Sequence, residues 1–351
     1  GTTTITCTAT DAAGNVGTAS FHVTVVLEAS QTTTREAVTE PMTLSVGGAA
    51  LYIDVDNNGN IVVKLANGVV KKYDTNNNLE FSFSASGNGL AVDSSGNIFV
   101  GQGTSSTPYI TKYDSDGNLV GEFATLPGYP SHMAIDSNNN LYVTSHSGDE
   151  RLMKVTSSGS VSTLKTWMYG LGNVDGGGDP DLGGIGVDSS GNIYVGQGNP
   201  NVYYYQCCLV MKYSSSGSII GSIGNSASGS YAEREVGTFA DIAGVAFDSS
   251  GNIYVADRYN NRITVFDSSG DLIRWFTVGP VSHAGGKGVW GVDIDGVGNI
   301  YTAEQRDNRV QIFPPNYSEP IVEPEVDTTP PVVTVPQNIT RQATNSTGYN
   351  V

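Results

Sequence analysis

The six residues DSSGNI occur word for word at 93–98, 188–193 and 248–253, and looser copies of the same turn begin at Asp56, Asp136 and Asp295. Successive copies stand 37 to 60 residues apart. Self-similarity at such a period marks a stacked or circular array of one supersecondary unit. Before each Asp lies a short apolar strand: ALYIDV, GLAV, HMAI, GIGV, GVAF and WGVDI. In the turn D-x-x-G-N, the Asp accepts hydrogen bonds from the turn amides and the Gly supplies a positive φ. Copy three places Asn139 at the Gly position, and Asn is the next most tolerant residue there.

A second strand rich in Ile, Tyr and Val follows each turn. A third comes next: KKYD (71–74), TKYD (111–114), LMKV (152–155), VMKY (210–213), TVFD (264–267) and VQIF (310–313). After another turn five copies continue into a fourth strand, such as NNNLEFSF and SGDLIRWF. Four strands in each of six repeats predict an all-β, six-bladed β-propeller. The sixth copy lacks its fourth strand, because a Pro-rich run follows VQIF. MTLSVG at 42–47 is the unassigned strand available to close the ring and remove its exposed edge.

The fifth copy, GVAFDSSGNIYVADRYNNRITVFDSSG, and the sixth, NIYTAEQRDNRVQIF, resemble the NHL-repeat family of propellers. The resemblance spans residues 42–314 and implies a fold rather than a function, because NHL propellers include enzymes, binding modules and scaffolds. At the ends, ITCTATDAAGNVGTASFHVTV (5–25) and DTTPPVVTVPQNIT (327–340) resemble the closing and opening strands of hyalin-repeat (HYR) immunoglobulin-like modules. Val335 stands where that opening segment usually carries Cys. The resulting division is a HYR-like segment at 1–27, a linker at 28–41, the propeller at 42–314, a Pro/Glu-rich linker at 315–326 and a second HYR-like segment at 327–351. The segments at the two ends are expected to be partial immunoglobulin-like β-sandwich pieces of a longer array.

Charge narrows the partners. Net charge is -17, and charged residues make up only 15% of the chain. Neither nucleic acid nor an anionic membrane is expected, since both need clustered Lys and Arg. No apolar run is long enough to span a bilayer. The HYR resemblance implies an extracellular or cell-surface setting. Sequons at Asn316, Asn338 and Asn345 agree with it and mark candidate glycosylation sites.

Unrepeated loops on one propeller face hold the candidate sites. Trp167, Tyr169, Tyr203, Tyr204, Tyr205 and Tyr231 concentrate in long insertions there and form the expected binding surface for glycans or surface proteins. Asp175, Asp179 and Asp181 lie among glycines, and Ca2+ is the one cofactor the sequence suggests; a flexible acidic loop is the favoured reading of them. DVDNNGN (54–60) opens like a calcium loop but has Leu65 at the twelfth position, so Asp56 is assigned to the turn. Cys207 and Cys208 are adjacent; they form a vicinal disulfide, pair with another chain or stay free. His132, His146 and His283 map to the same face, where some NHL propellers hold a metal. The function expected is a non-enzymatic structural or adhesive module in a head-to-tail array, its partners being adjacent domains or other copies. The alternative is a metal-dependent lyase or hydrolase at the channel mouth.

Overall fold

The structure, a computed structural model, describes residues 2–10, 12–24, 35–145, 150–167, 181–198, 209–224, 237–239, 241–279 and 288–318. Every regular element among them is a strand. β1 (Thr2–Thr10) and β2 (Val16–Thr24) pair antiparallel, with Cys7 opposite Ala19. β3 (Met42–Ser45) stands alone in sequence before five four-stranded repeats and a sixth of three strands. The first repeat is Ala50–Val55, Ile61–Leu65, Val69–Tyr73 and Leu79–Ser84 (β4–β7). The second is Leu90–Val92, Ile98–Gly103, Pro108–Tyr113 and Leu119–Thr125 (β8–β11). The third is Pro130–Ile135, Leu141–Ser145, Glu150–Val155 and Val161–Trp167 (β12–β15). The fourth is Asp181–Val187, Ile193–Gly198, Leu209–Tyr213 and Ile219–Ile223 (β16–β19). The fifth is Ile242–Phe247, Ile253–Asp257, Arg262–Phe266 and Leu272–Thr277 (β20–β23). The sixth supplies Val289–Ile294, Ile300–Glu304 and Arg309–Phe313 (β24–β26). The protein is a six-bladed β-propeller, the first five sheets running in sequence order from the inner strand outward.

β3 completes the sixth sheet, Leu44 lying opposite Val310 and Ser45 opposite Arg309. Each blade buries the aliphatic side chains of its middle strands against the next blade; Ile61, Val63, Leu141, Val143, Ile300 and Ile312 are fully buried. Burial of an aliphatic side chain contributes about 1.5–3 kcal/mol, so these interblade layers carry most of the stability.

The repeated turn is a hydrogen-bonded unit. Asp56 Oδ1 accepts from the amides of Asn58 and Asn60 at 2.9 and 3.0 Å, and Oδ2 accepts from Asn60 Nδ2 at 2.8 Å. The same pattern recurs at Asp93, Asp136, Asp188, Asp248 and Asp295. Asn139 holds the left-handed position of the third copy at φ 60°. The turn before the fourth strand uses the same device at Asp74 and Asp114, where Asn78 and Asn118 are the partners.

In four blades a Tyr six residues past the Asp also donates to its Oδ2: Tyr142, Tyr194 and Tyr254 at 3.2 Å, Tyr301 at 2.8 Å. Burial, followed by the charge of the facing Asp, pushes the phenols of Tyr194 and Tyr301 above their ordinary value, so they stay protonated donors. A cation then covers each ring. Lys154 and Lys212, from third strands, lie 5.1 and 5.0 Å from the rings of Tyr142 and Tyr194. The third strand of blade five has no Lys, and Arg274 reaches Tyr254 from the fourth strand, bonding its hydroxyl at 3.1 Å. Blade six has neither. There the cation is Arg35, from outside the repeats, 5.8 Å from the Tyr301 ring.

Arg35 corrects the linker expected over 28–41. It is only 7% exposed. Its side chain bonds Gly59 O, Asp74 O and Asn77 Oδ1 at 3.2, 3.1 and 2.9 Å, all in blade one. Val38 N donates to Asn299 Oδ1 at 2.7 Å in blade six, and Asn299 Nδ2 returns a bond to Glu36 O. Residues 35–38 thus strap blade one to blade six on the turn face, while β3 joins them at the rim. At the other end the propeller continues past residue 314. Tyr317 packs on Phe276 and Phe313, with ring centroids 5.2 and 4.9 Å away. Asn316, beside it, is exposed.

Arg35→Ala removes three charge-assisted hydrogen bonds and the sixth cation, and is expected to lower the free energy of unfolding by about 2 kcal/mol. Urea denaturation followed by circular dichroism measures this. Deleting residues 1–47 removes β3 as well and should abolish the cooperative transition.

Candidate functional site

Alignment of the inner strands on their turn Asp gives the central channel its layers. Three residues before each Asp stand Ile53, Leu90, Met133, Ile185, Val245 and Val292. All six line both cavities found along the channel, one of 50 Å3 toward the loop face and one of 190 Å3 toward the turn face. They form an aliphatic ring between the two.

The layer above is lopsided. Four residues before the Asp, four blades carry Gly89, Gly184, Gly244 and Gly291. The glycines of blades four and five bring two inner strands into backbone contact: a Cβ at Gly184 would overlap the backbone of Gly244. Blades one and three carry Tyr52 and His132 instead, whose rings meet edge-to-face at 5.5 Å. His132 Nδ1 also lies 3.1 Å from Ser131 Oγ. Burial pushes the Tyr52 phenol up to about 12, so it is a neutral donor rather than a base.

Trp290, one residue further up in blade six, completes the rim. The Arg258 guanidinium stacks 4.2 Å from its ring centroid and 5.1 Å from that of Tyr259. Arg258 is paired with Asp241, and its amide bonds the Asp241 carbonyl at 2.8 Å. The turn that presents Arg258 is held from below. Arg262 Nε bonds Asp257 Oδ2 at 3.0 Å and its Nη2 bonds Thr238 O at 2.6 Å, both side chains buried. Asn261 adopts φ 50° and sits under Gly288, where a Cβ would overlap its amide oxygen. The N-R step of the repeat is therefore a buried ion pair that fixes the mouth's loop. Blade six repeats it with Arg309 and Glu304 at 2.9 Å. Burial lifts the Glu304 carboxyl to about 7 against the pull of Arg309.

The mouth thus gathers Tyr52, His132, Trp290 and Arg258, an amphipathic cluster of the types that dominate binding surfaces. Trp167 does not join it. It is 5% exposed and packs against Tyr213 between blades three and four, because it is the last residue of a strand paired with Glu150 rather than the first of a loop. Asp181 opens β16, its backbone opposite Gly198. Tyr169, Tyr203, Tyr204, Tyr205, Tyr231, Asp175, Asp179, Cys207, Cys208, His146, His283, Asn338 and Asn345 lie outside the described residues. Tyr52, Trp290 and Arg258 escaped the sequence reading. The clue to Tyr52 was present, since a bulky residue stands in register with glycines of the other blades.

The NHL repeat family matches residues 239–266, which contain the Asp257–Arg262 pair. No curated protein matches the sequence. Among solved structures, a protein of unknown function from Bacteroides thetaiotaomicron is similar over 80% of this chain and 76% of its own, with TM-score 0.58 and 16% identity. Streptogramin B lyase is similar over 79% of this chain and 98% of its own, with TM-score 0.53 and 12% identity. At these identities the likeness is one of fold.

Arg262→Ala leaves the Asp257 carboxylate buried without its cation and should cost about 3–5 kcal/mol. Thermal unfolding of the purified variant checks this.

Proposed function

We propose that the chain is a non-enzymatic extracellular module, a propeller in line with HYR-like segments, whose loop face is an interaction surface for glycans or surface proteins. The aliphatic ring directly beneath the mouth is the observation that carries this reading. The 50 Å3 above it has room for only a few waters, so recognition falls to the rim formed by Tyr52, Trp290 and Arg258. The regular β1–β2 pairing suits a HYR-like segment, and the exposed Asn316 suits glycan attachment. Other copies or adjacent domains in a head-to-tail array are the structural partners. The alternative, a metal-dependent lyase or hydrolase, would use the same mouth with His132 as a ligand.

The test probes purified protein against a panel of glycans and extracellular-matrix proteins, with metal content measured on the same sample. Trp290→Ala is expected to weaken binding about tenfold or more while moving the melting temperature by less than about 4 °C. Binding that survives both Trp290→Ala and Tyr52→Ala overturns the reading. A stoichiometric transition metal that disappears in His132→Ala favours the enzyme.

A further inference from the structure

Two residues before the turn Asp, the six inner strands carry Asp54, Ala91, Ala134, Gly186, Ala246 and Asp293. The two acids belong to neighbouring blades, one and six. Each reaches forward to the next blade along the ring: Asp293 Oδ2 accepts from Val55 N at 2.6 Å, and Asp54 Oδ2 accepts from Val92 N at 2.7 Å. The amides they cap occupy the same register position in blades one and two. Elsewhere glycines press inner strands together, as at Gly184 and Gly244. On this side the carboxyls span the joint.

The two carboxyls also lie within hydrogen-bond reach of each other. Both line the 190 Å3 cavity beneath the aliphatic ring. Strands β8, β12, β16 and β20 face that cavity with Leu90, Met133, Ala134, Ile135, Ile185, Gly186, Val187, Val245, Ala246 and Phe247, none of them titratable. A further charge acting on the pair is that of Asp295, which is also negative and holds Asn299 and Tyr301. Among the described residues, none lining the cavity is a cation. Two adjacent carboxylates in such surroundings cannot both ionise readily.

We propose that Asp54 and Asp293 share a single proton and form a pH-operated latch joining the sixth, first and second blades along their inner strands. With the proton present, one carboxyl donates its O–H to the other, and the remaining oxygens keep the Val55 and Val92 amides. Loss of the proton sets two carboxylates against each other and loosens this side of the ring, while the glycine-packed side is unaffected. Burial supports the assignment by lifting Asp293 to about 6 and Asp54 well above the usual carboxylate range. A carboxyl raised by folding stabilises most below the unfolded value near 4, and that stabilisation is lost as pH rises through about 6 and beyond.

The experiment follows amide hydrogen exchange of Val55 and Val92 from pH 5 to pH 8, corrected for intrinsic exchange, with thermal midpoints on the same samples. Their protection should fall about tenfold or more across this range, while the Gly184 and Gly244 amides change little. Asp54→Asn keeps an acceptor for Val92 and donates its amide to Asp293, so its midpoint should exceed that of the unsubstituted protein at pH 8 and lose the latch's pH dependence. The infrared band of protonated carboxyl at pH 6 should be stronger in the unsubstituted protein than in Asp293→Asn, the raised Glu304 carboxyl contributing equally to both. Flat protection at Val55 and Val92 overturns the proposal even if neither variant folds, and so does a band at pH 6 no stronger than that of Asp293→Asn.

Discussion

The propeller depends on one carboxylate used six times. In each blade the turn Asp takes the amides of its own loop with one oxygen and the Asn side chain with the other. Where a Tyr follows in the second strand, the same carboxylate reaches a third partner. The cation over that ring then ties in the third strand, the fourth, or Arg35. A local turn thereby fixes the spacing of strands that are not neighbours in sequence. Each bond is worth only about 1 kcal/mol, so strength comes from their convergence on groups removed from water.

The six units are equivalent in their turns and unequal in their inner strands. Blades four and five approach until only glycine fits between them. Blades one and three hold Tyr52 and His132 at the matching height, and blades one and six hold Asp54 and Asp293 two residues below. The channel is accordingly sealed by backbone on one side and lined by functional groups on the other. Departures from the repeat supply Tyr52, His132 and Trp290 at the mouth, while the repeat's own N-R step holds the loop that carries Arg258.

Much of the ring was legible because its determinants are local. D-x-x-G-N specifies its turn within five residues, and the apolar strands on either side announce their pairing. The free sixth edge and MTLSVG could be matched by counting strands. What stayed hidden depends on contacts distant in sequence. Arg35 sits in a stretch of Thr, Glu and Ala that resembles a tether, and its burial follows from partners in blade one and the Tyr301 ring of blade six, all distant in sequence. Trp167 follows a polar strand and precedes a long insertion, so its place between two blades is invisible until the pairing with β14 is known. Asp54 passed for part of a calcium-like string because a strand's facing cannot be read from composition.

The strap at residues 35–38 also dictates how the chain can fold. Val38 and its partner Asn299 are 261 residues apart, and that contact closes the circle. During synthesis the segment emerges before the blades, and its bonds to Asn299 must wait until the sixth has formed. Closing so long a loop carries an entropic cost that no single blade recovers. A linear solenoid can fray from either end one repeat at a time. Here the first blade is held by the last, and unfolding is expected to be a single cooperative event with slow opening, gated by release of the strap.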